Sequence, residues 1–403
     1  MGVSVISREE KPAATNPALG HRDSSGELVS RDKKGRPVKF DKRGKAHRLS
    51  KKGKMKMRHK PGKILVAVLA FLAVFYCVFA FTDCPGLSAL RNMWIQTAMT
   101  TAAHQWLATW FFPPWVIDKA MVGVNQPLGY QSDPNVVFDT SATNKTDAMW
   151  QEILGVAPSV PTPVDDVNGD QVLTADYAQG IIIVQIKSAL YTGRLMFVDD
   201  PARVKIATAA HLGSYGEHIL DYLSEHNAIA GTNANGFHDP GGEGNGGGLG
   251  GWCMSGGKLI GKSDGRDSGG FTNGNVLVVG DIKDPVKEGI RDMTQWGPAM
   301  VVDGKVPEAD AGYGIQPRTA IGQLRSGVVV MATVDGRQPG HSIGISVADL
   351  AKVMIKYGAL NAVLCDGGSS SIMGYNGKLV GIPSTPAKTT GRRLPDAWIV
   401  TRK

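Results

Sequence analysis

Apolar and polar positions divide the chain into stretches of different rhythm. Residues 1–62 are polar, rich in Lys, Arg, Gly and Ser, and lack apolar periodicity, which predicts a disordered tail. Residues 64–81 are 18 apolar residues without a charge, close to the roughly 20 that cross a bilayer core. From Gly180 onward, short apolar runs alternate with breaks containing Gly and Pro. Runs at 181–186, 195–198, 228–231, 276–279, 300–302, 320–322, 328–334 and 362–364 predict strands. Segments 217–226 and 347–357 space their apolar residues as helices do, with Ile219, Leu220 and Leu223 on one side of the first. Strands outnumber helices within one region of ordinary domain size. The expected fold is α+β: a mixed, strand-rich single globular domain over 180–403, preceded by a transmembrane helix and a juxtamembrane helix.

Two segments join these parts. Residues 83–128 should be a juxtamembrane helical segment, because apolar residues at helical spacing fill 87–112 and Pro113-Pro114 stops them. Its tryptophans suit the lipid headgroup level or packing against the domain. Residues 129–179 read as a polar connector. Within it Asp166-Val167-Asn168-Gly169-Asp170 hints at a calcium loop, but Gln171 and Tyr177 occupy the positions where such a loop wants Gly and Glu.

Charge sharpens the division. The net charge is +8, yet residues 1–63 hold 19 Lys/Arg against 6 Asp/Glu, a net of +13 that leaves −5 for the remainder. A mildly acidic domain does not suit nucleic acid, so none is expected as a partner. The basic flank precedes the apolar run. This predicts a single-pass cell-membrane protein with 1–63 as a basic cytoplasmic tail, 64–82 across the membrane and the C-terminal domain extracytoplasmic. A cleaved signal peptide is the competing reading; Phe81-Thr82-Asp83-Cys84 is a poor cleavage site. Of four cysteines, Cys253 and Cys365 lie in the domain and a pairing between them is open.

Candidate chemistry gathers where apolar runs end. Such ends are 233–239 followed by the glycine-rich 241–251, then Pro317-Arg318-Thr319, then Val334-Asp335-Gly336-Arg337 with His341 beyond, and Cys365-Asp366-Gly367-Gly368-Ser369-Ser370-Ser371. Polar residues at strand ends line pockets. Glycines permit close backbone approach, and successive N–H groups form anion-binding nests. The plain structural alternatives are turns, with Arg318 and Arg337 pairing Asp335 or Asp366. His211, His218 and His226 are spaced too widely for a compact metal site, and 241–251 lacks the Gly-Lys-Ser/Thr ending of a nucleotide loop.

In this order, Thr232-Asn233-Ala234-Asn235-Gly236-Phe237, Pro317-Arg318-Thr319-Ala320-Ile321-Gly322, Val334-Asp335-Gly336-Arg337 and Cys365-Asp366-Gly367-Gly368-Ser369-Ser370 resemble the motifs of the phosphodiester glycosidase family, over 180–400. The glycine triplet is one glycine short, and His238 replaces an aromatic. The resemblance implies a hydrolase acting on a glycosyl-1-phosphate diester in surface polysaccharide or a related glycoconjugate, with neither cofactor nor metal. Arg318 and Arg337 would pair the phosphate. Asn235, Gly236, Phe237, His238, Thr319, Gly367, Gly368, Ser369 and Ser370 would line the substrate. Asp366 would stabilise the oxocarbenium-like state, with Asp335 or Asp239 as second carboxylate and His341 or His238 moving a proton. The rivals are a non-catalytic wall- or polysaccharide-binding module and a metal-dependent phosphodiesterase.

Overall fold

The computed structural model describes residues 21–22, 28–31, 34, 36–40, 46–48 and 61–403, apart from 102–103, 125, 139–143, 239–243, 308–313 and 386. The chain divides into two compact units, 1–78 and 79–403. In the first, His21–Arg22, Leu28–Arg31, Pro37–Phe40 and Ala46–Arg48 form an antiparallel sheet in chain order, where the sequence predicted disorder. The missed signal is periodic turn chemistry: Asp-x-x-Gly recurs at Asp23 and Gly26, Asp32 and Gly35, Asp41 and Gly44. The helix Pro61–Phe81 follows. Its stretch Gly62–Phe81 is long and apolar enough to cross a membrane and is almost wholly exposed.

The second unit is built on a seven-stranded sheet. Its spatial order is Ala299–Val301, Ala359–Leu364, Arg318–Leu324, Val329–Val334, Thr192–Val198, Ile181–Lys187 and Gln171–Asp176, and every pairing is antiparallel. Successive side chains on a strand face opposite ways. Ile182, Val184 and Ile186 therefore join one core with Leu350 and Met354 of the helix Val347–Lys356. Ile181 and Ile183 join the other, with Ile229, Trp398, Val400 and Phe271 of two five-stranded sheets. One of these runs Lys378–Leu379, Met373–Tyr375, Ala228–Asn233, Asp396–Thr401, Val204–Thr208; the other runs Lys258–Gly261, Trp252–Ser255, Ile290–Gln295, Ser268–Thr272, Leu277–Gly280. Strands buried on both faces explain why the sequence showed continuous apolar runs rather than alternation. The helix Ile219–Glu225 closes the far side of the first five-stranded sheet with Ile219, Tyr222 and Leu223.

Two expectations change. The single helix over 87–112 is two, Pro85–Met99 and Trp106–Thr109, followed by Pro114–Met121. Thr101 breaks it, since its hydroxyl donates to Ala98 O (2.9 Å) and accepts from His104 N (3.0 Å), replacing helix bonds with local ones. The connector 129–179 also carries structure. Asn144 caps the helix Lys145–Leu154 by accepting from Thr146 N (3.0 Å), and Met149, Trp150 and Ile153 enter the core beside Val347–Lys356. Asp166 closes its own turn, accepting from Asn168 N and Asp170 N (2.8 and 2.9 Å), while Tyr357 Oη donates to it at 2.6 Å. Those carboxylate atoms are committed to the fold.

Candidate active site

Three strand ends meet at one place. Asp366 follows Ala359–Leu364, Arg318 opens Arg318–Leu324, and Asn233 ends Ala228–Asn233. Asn233 ties them together. Its Nδ2 donates to Asp366 O (2.7 Å), and its Oδ1 accepts from Thr319 Oγ1 (2.7 Å) and Ile372 N (3.2 Å). Asp366 N donates to Ala234 O (2.8 Å), and Cys365 N to Thr319 O (2.9 Å). The turn after Asp366 is pressed against the start of the neighbouring strand. Gly368 N donates to Pro317 O (2.9 Å), and a Cβ on Gly367 would stand 2.8 Å from that same oxygen. Gly368 has φ +61°, the left-handed region that favours glycine, and lies against the Arg337 guanidinium.

These ends open on a cavity of about 1130 Å³. Asp366 is its sole carboxylate among the described residues, facing Arg266, Arg318, Arg337, Arg392 and Arg393. Among the described residues the lining therefore carries an excess of positive charge, and charge pairing strengthens where water is partly excluded. Three arginines lie over aromatic rings: Arg266 on Trp296 (4.1 Å), Arg392 on Phe237 (4.4 Å) and Arg393 on Tyr215 (5.6 Å). Arg318 donates to Gly314 O (3.0 Å) and Ile345 O (3.4 Å), which aims its side chain. Arg337 sits at φ +58°, a conformation costly for a residue with a side chain. Burial lowers its hold on its proton; the Asp366 carboxylate opposes that and Arg392 adds to it.

Asp366 is half-buried. Burial raises its pKa, against the Ser370 hydroxyl, Arg392 and the Gly367 N–H, which stabilise the ionised form. Behind it, the fully buried Asp396 is pushed up to about 7 by burial and by the nearby Asp366, although Asn235 N donates to it at 2.8 Å.

Of the residues proposed from sequence, Phe237, Arg318, Arg337, Asp366, Gly367, Gly368 and Ser369 line this cavity. Others do not. Asn235 is wholly buried; it donates to Trp252 O (3.0 Å) and accepts from Gln295 N (2.8 Å) and Thr294 Oγ1. Thr319 and Ser370 are buried too, Thr319 holding Asn233. Gly236 gives room to the Trp296 ring, which a Cβ would strike. His238 is exposed on a short ribbon opposite Gly248. Asp335 pairs with Arg194, an arginine outside the pairs considered from sequence, and with His341 Nε2 (2.7 Å), and it is buried outside the cavity lining. Asp239 lies outside the described residues. The nest reading also changes, because Gly367 N donates to Asp366 Oδ1 (2.9 Å) and Gly368 N to Pro317 O. Cys253 and Cys365 are separate buried thiols.

The sequence reading missed Arg266, Trp296, Arg392 and Arg393, and it left His218 outside the site although this residue also lines the cavity. Their loops carry no apolar run to mark them; adjacent Arg392-Arg393 before a terminal strand was the available signal. Within the glycine-rich stretch, residues 244–247 are a pinned wall: Gly216 N donates to Asn245 O and Gly213 N to Gly247 O, both 2.7 Å.

Residues 226–401 match the model of the phosphodiester glycosidase family. Over 119 residues, 27% of this chain and 18% of the relative, the sequence is 34% identical to the SPbeta prophage-derived uncharacterized protein YomE of Bacillus subtilis (strain 168). Over 81 residues, 20% of this chain and 15% of the relative, it is 35% identical to N-acetylglucosamine-1-phosphodiester alpha-N-acetylglucosaminidase of Bos taurus, and likewise to that of Homo sapiens. The matches thus span less than a fifth of each relative's length. Among solved structures, the catalytic domain of the zebrafish N-acetylglucosamine-1-phosphodiester alpha-N-acetylglucosaminidase superposes with a TM-score of 0.47 at 19% identity, covering 55% of this chain and 82% of that one. A hypothetical protein from Synechocystis gives 0.42 at 14% identity, over 59% and 65%. Residues 226–401 of this chain are thus similar to the phosphodiester glycosidase family.

Proposed function

We propose that the cavity hydrolyses a glycosyl-1-phosphate diester by cleaving the bond between the anomeric carbon and the phosphate oxygen. The observation that carries this reading is, among the described residues, one carboxylate set among five arginines at the meeting of three strand ends. The family match supports a hydrolase, and two relatives are named for an N-acetylglucosamine-1-phosphodiester, which makes that sugar the first to try. Arg337 and Arg318 would grip the phosphate oxygens bidentately. That grip stabilises the phosphate as a leaving group, so little protonation is needed. Asp366 would face the anomeric carbon and offset the positive charge that develops there. His218, on the cavity wall, would take a proton from the attacking water, in place of His341 or His238 as expected from sequence. Asn233 and Thr319 act as positioning residues through Asp366.

Cell-surface polysaccharide or a related glycoconjugate as substrate, and anchoring through Gly62–Phe81 with the domain outside the cell, belong to the same proposal. They are supported by the apolar helix and by the basic residues before it. The test is turnover: purified full-length protein should release sugar from N-acetylglucosaminyl-1-phosphoryl-methanol, and Asp366→Asn should lose at least about 10²-fold in kcat. Equal turnover in the two proteins would end the reading.

A further inference from the structure

Residues 85–121 do two things at once. Inward, Met99, Thr100, His104 and Met121 form one wall of the arginine-lined cavity. The segment is fixed there by Ile315 N donating to Thr97 Oγ1 (3.1 Å) and by Gln316 Nε2 donating to Thr100 Oγ1. Outward, it exposes Leu90, Trp106, Trp110, Phe111 and Trp115, with Trp110 at 76% and Trp115 at 59%. So many large apolar side chains exposed within one short segment are rare on a surface that meets only water. Tryptophan favours the zone between lipid headgroups and acyl chains, where an apolar ring and a polar N–H are both accommodated.

Chain connectivity argues for the occupant. Only three residues separate the end of the apolar helix at Phe81 from Pro85. That short link is braced. The buried Arg91 donates to Ala80 O (3.1 Å) and Thr82 O (2.9 Å), Lys119 bridges Asp83 at 2.8 Å, and the Phe81 ring stacks on Trp115 at 5.7 Å. If Gly62–Phe81 spans a bilayer, a face this close to its exit stands at the outer headgroup level by covalent reach alone.

We infer that the aromatic face of residues 85–121 seats on the outer surface of the membrane and so presents the cavity to glycosyl phosphates carried on lipids of that membrane. This substrate class rests on the reading under Proposed function. In the reaction, water oxygen bonds to the anomeric carbon and the carbon–oxygen bond to phosphate breaks, its electron pair leaving with phosphate. The products are the free sugar and a lipid phosphomonoester, and one water proton is released. Met99 and Met121 give the wall an apolar, adaptable surface for the first part of the lipid.

The test uses the full chain in phosphatidylcholine–phosphatidylglycerol vesicles. Lipids brominated near the headgroup end of the acyl chain should quench tryptophan emission, and Trp110→Glu with Trp115→Glu should remove most of that quenching. The same double variant should turn over a vesicle-borne N-acetylglucosaminyl-1-phosphoryl-dodecanol about tenfold more slowly, with N-acetylglucosaminyl-1-phosphoryl-methanol in solution hydrolysed at the wild-type rate. Absence of quenching in the wild type, or equal loss on both substrates, overturns the inference; a protein partner on this face would give the first result. If the wild type hydrolyses neither substrate, the proposed function fails while the quenching still decides the membrane seat.

Discussion

Gly367→Ala puts the geometry of the site to a quantitative test. Gly367 has φ −110° and ψ −156°, a conformation alanine adopts, so the backbone itself raises no objection. The obstacle is the neighbouring strand: a Cβ would stand 2.8 Å from Pro317 O, roughly half an ångström inside normal contact. Backbone cannot swing aside as a side chain can, so the turn after Asp366 and the strand that opens with Arg318 must move apart. Overpacking of this kind costs about 1–3 kcal/mol, or a few degrees in Tm for a domain of this size. Activity should suffer more. A shift approaching 1 Å between the groups that hold phosphate and the carboxylate facing carbon costs on the order of 10²-fold in kcat/KM. Gly377→Ala is the control, since Gly377 has φ +72° with nothing within 4 Å of a new Cβ. It carries left-handed strain of about 1–2 kcal/mol but lies outside the cavity. Calorimetry and sugar release, measured on both variants, should show comparable losses of stability and a loss of activity confined to Gly367→Ala. Equal activity in the two would refute the claim that close packing of these strand ends sets the site.

Two further outcomes follow from the buried partners of Asp366. Thr319→Val removes the hydroxyl that orients Asn233 and should cost about 1–3 kcal/mol; it should lower kcat while leaving KM nearly unchanged, and a change in KM alone would contradict the positioning role. Asp396 holds its proton to higher pH in the folded chain, about 7, than its ordinary 3.8. Its contribution to stability is therefore fully present below the ordinary value and is lost as pH rises towards 7, on the order of 4 kcal/mol at most. Asp396→Asn should flatten the fall in the urea midpoint between about pH 4.5 and 7.5, and parallel curves would exclude this assignment.

Much of the central sheet was legible because its strands are buried on both faces and stand out as uninterrupted apolar runs, such as 181–186 and 328–334. The same logic found Asp366, Arg318 and Arg337, polar groups that terminate such runs. What the sequence obscured has physical causes. Asn235 and Thr319 carry the donors and acceptors a ligand would want, but the fold uses them internally, and composition does not distinguish these uses. Gly367 and Gly368 look like a nest, yet their N–H groups are consumed within the turn and against Pro317; their value lies in close approach. The edge strand Gln171–Asp176 mixes exposed and half-buried residues, so its pattern was too weak to separate from a connector. Arg392 and Arg266 reach the cavity from loops, and their long side chains are held over Phe237 and Trp296 by contacts that no local periodicity encodes. The wall from residues 85–121 lies 197 to 233 positions before Arg318 in the chain, and only the folded structure joins them.

The most direct test of the whole account is the fate of water oxygen. When a glycosyl-1-phosphodiester is hydrolysed in water enriched in the heavy oxygen isotope, mass spectrometry of the products should find the label on the anomeric hydroxyl of the released sugar and none on the phosphomonoester. Label on phosphate would mean cleavage of the phosphorus–oxygen bond, and Asp366 among its arginines would then be serving a different reaction.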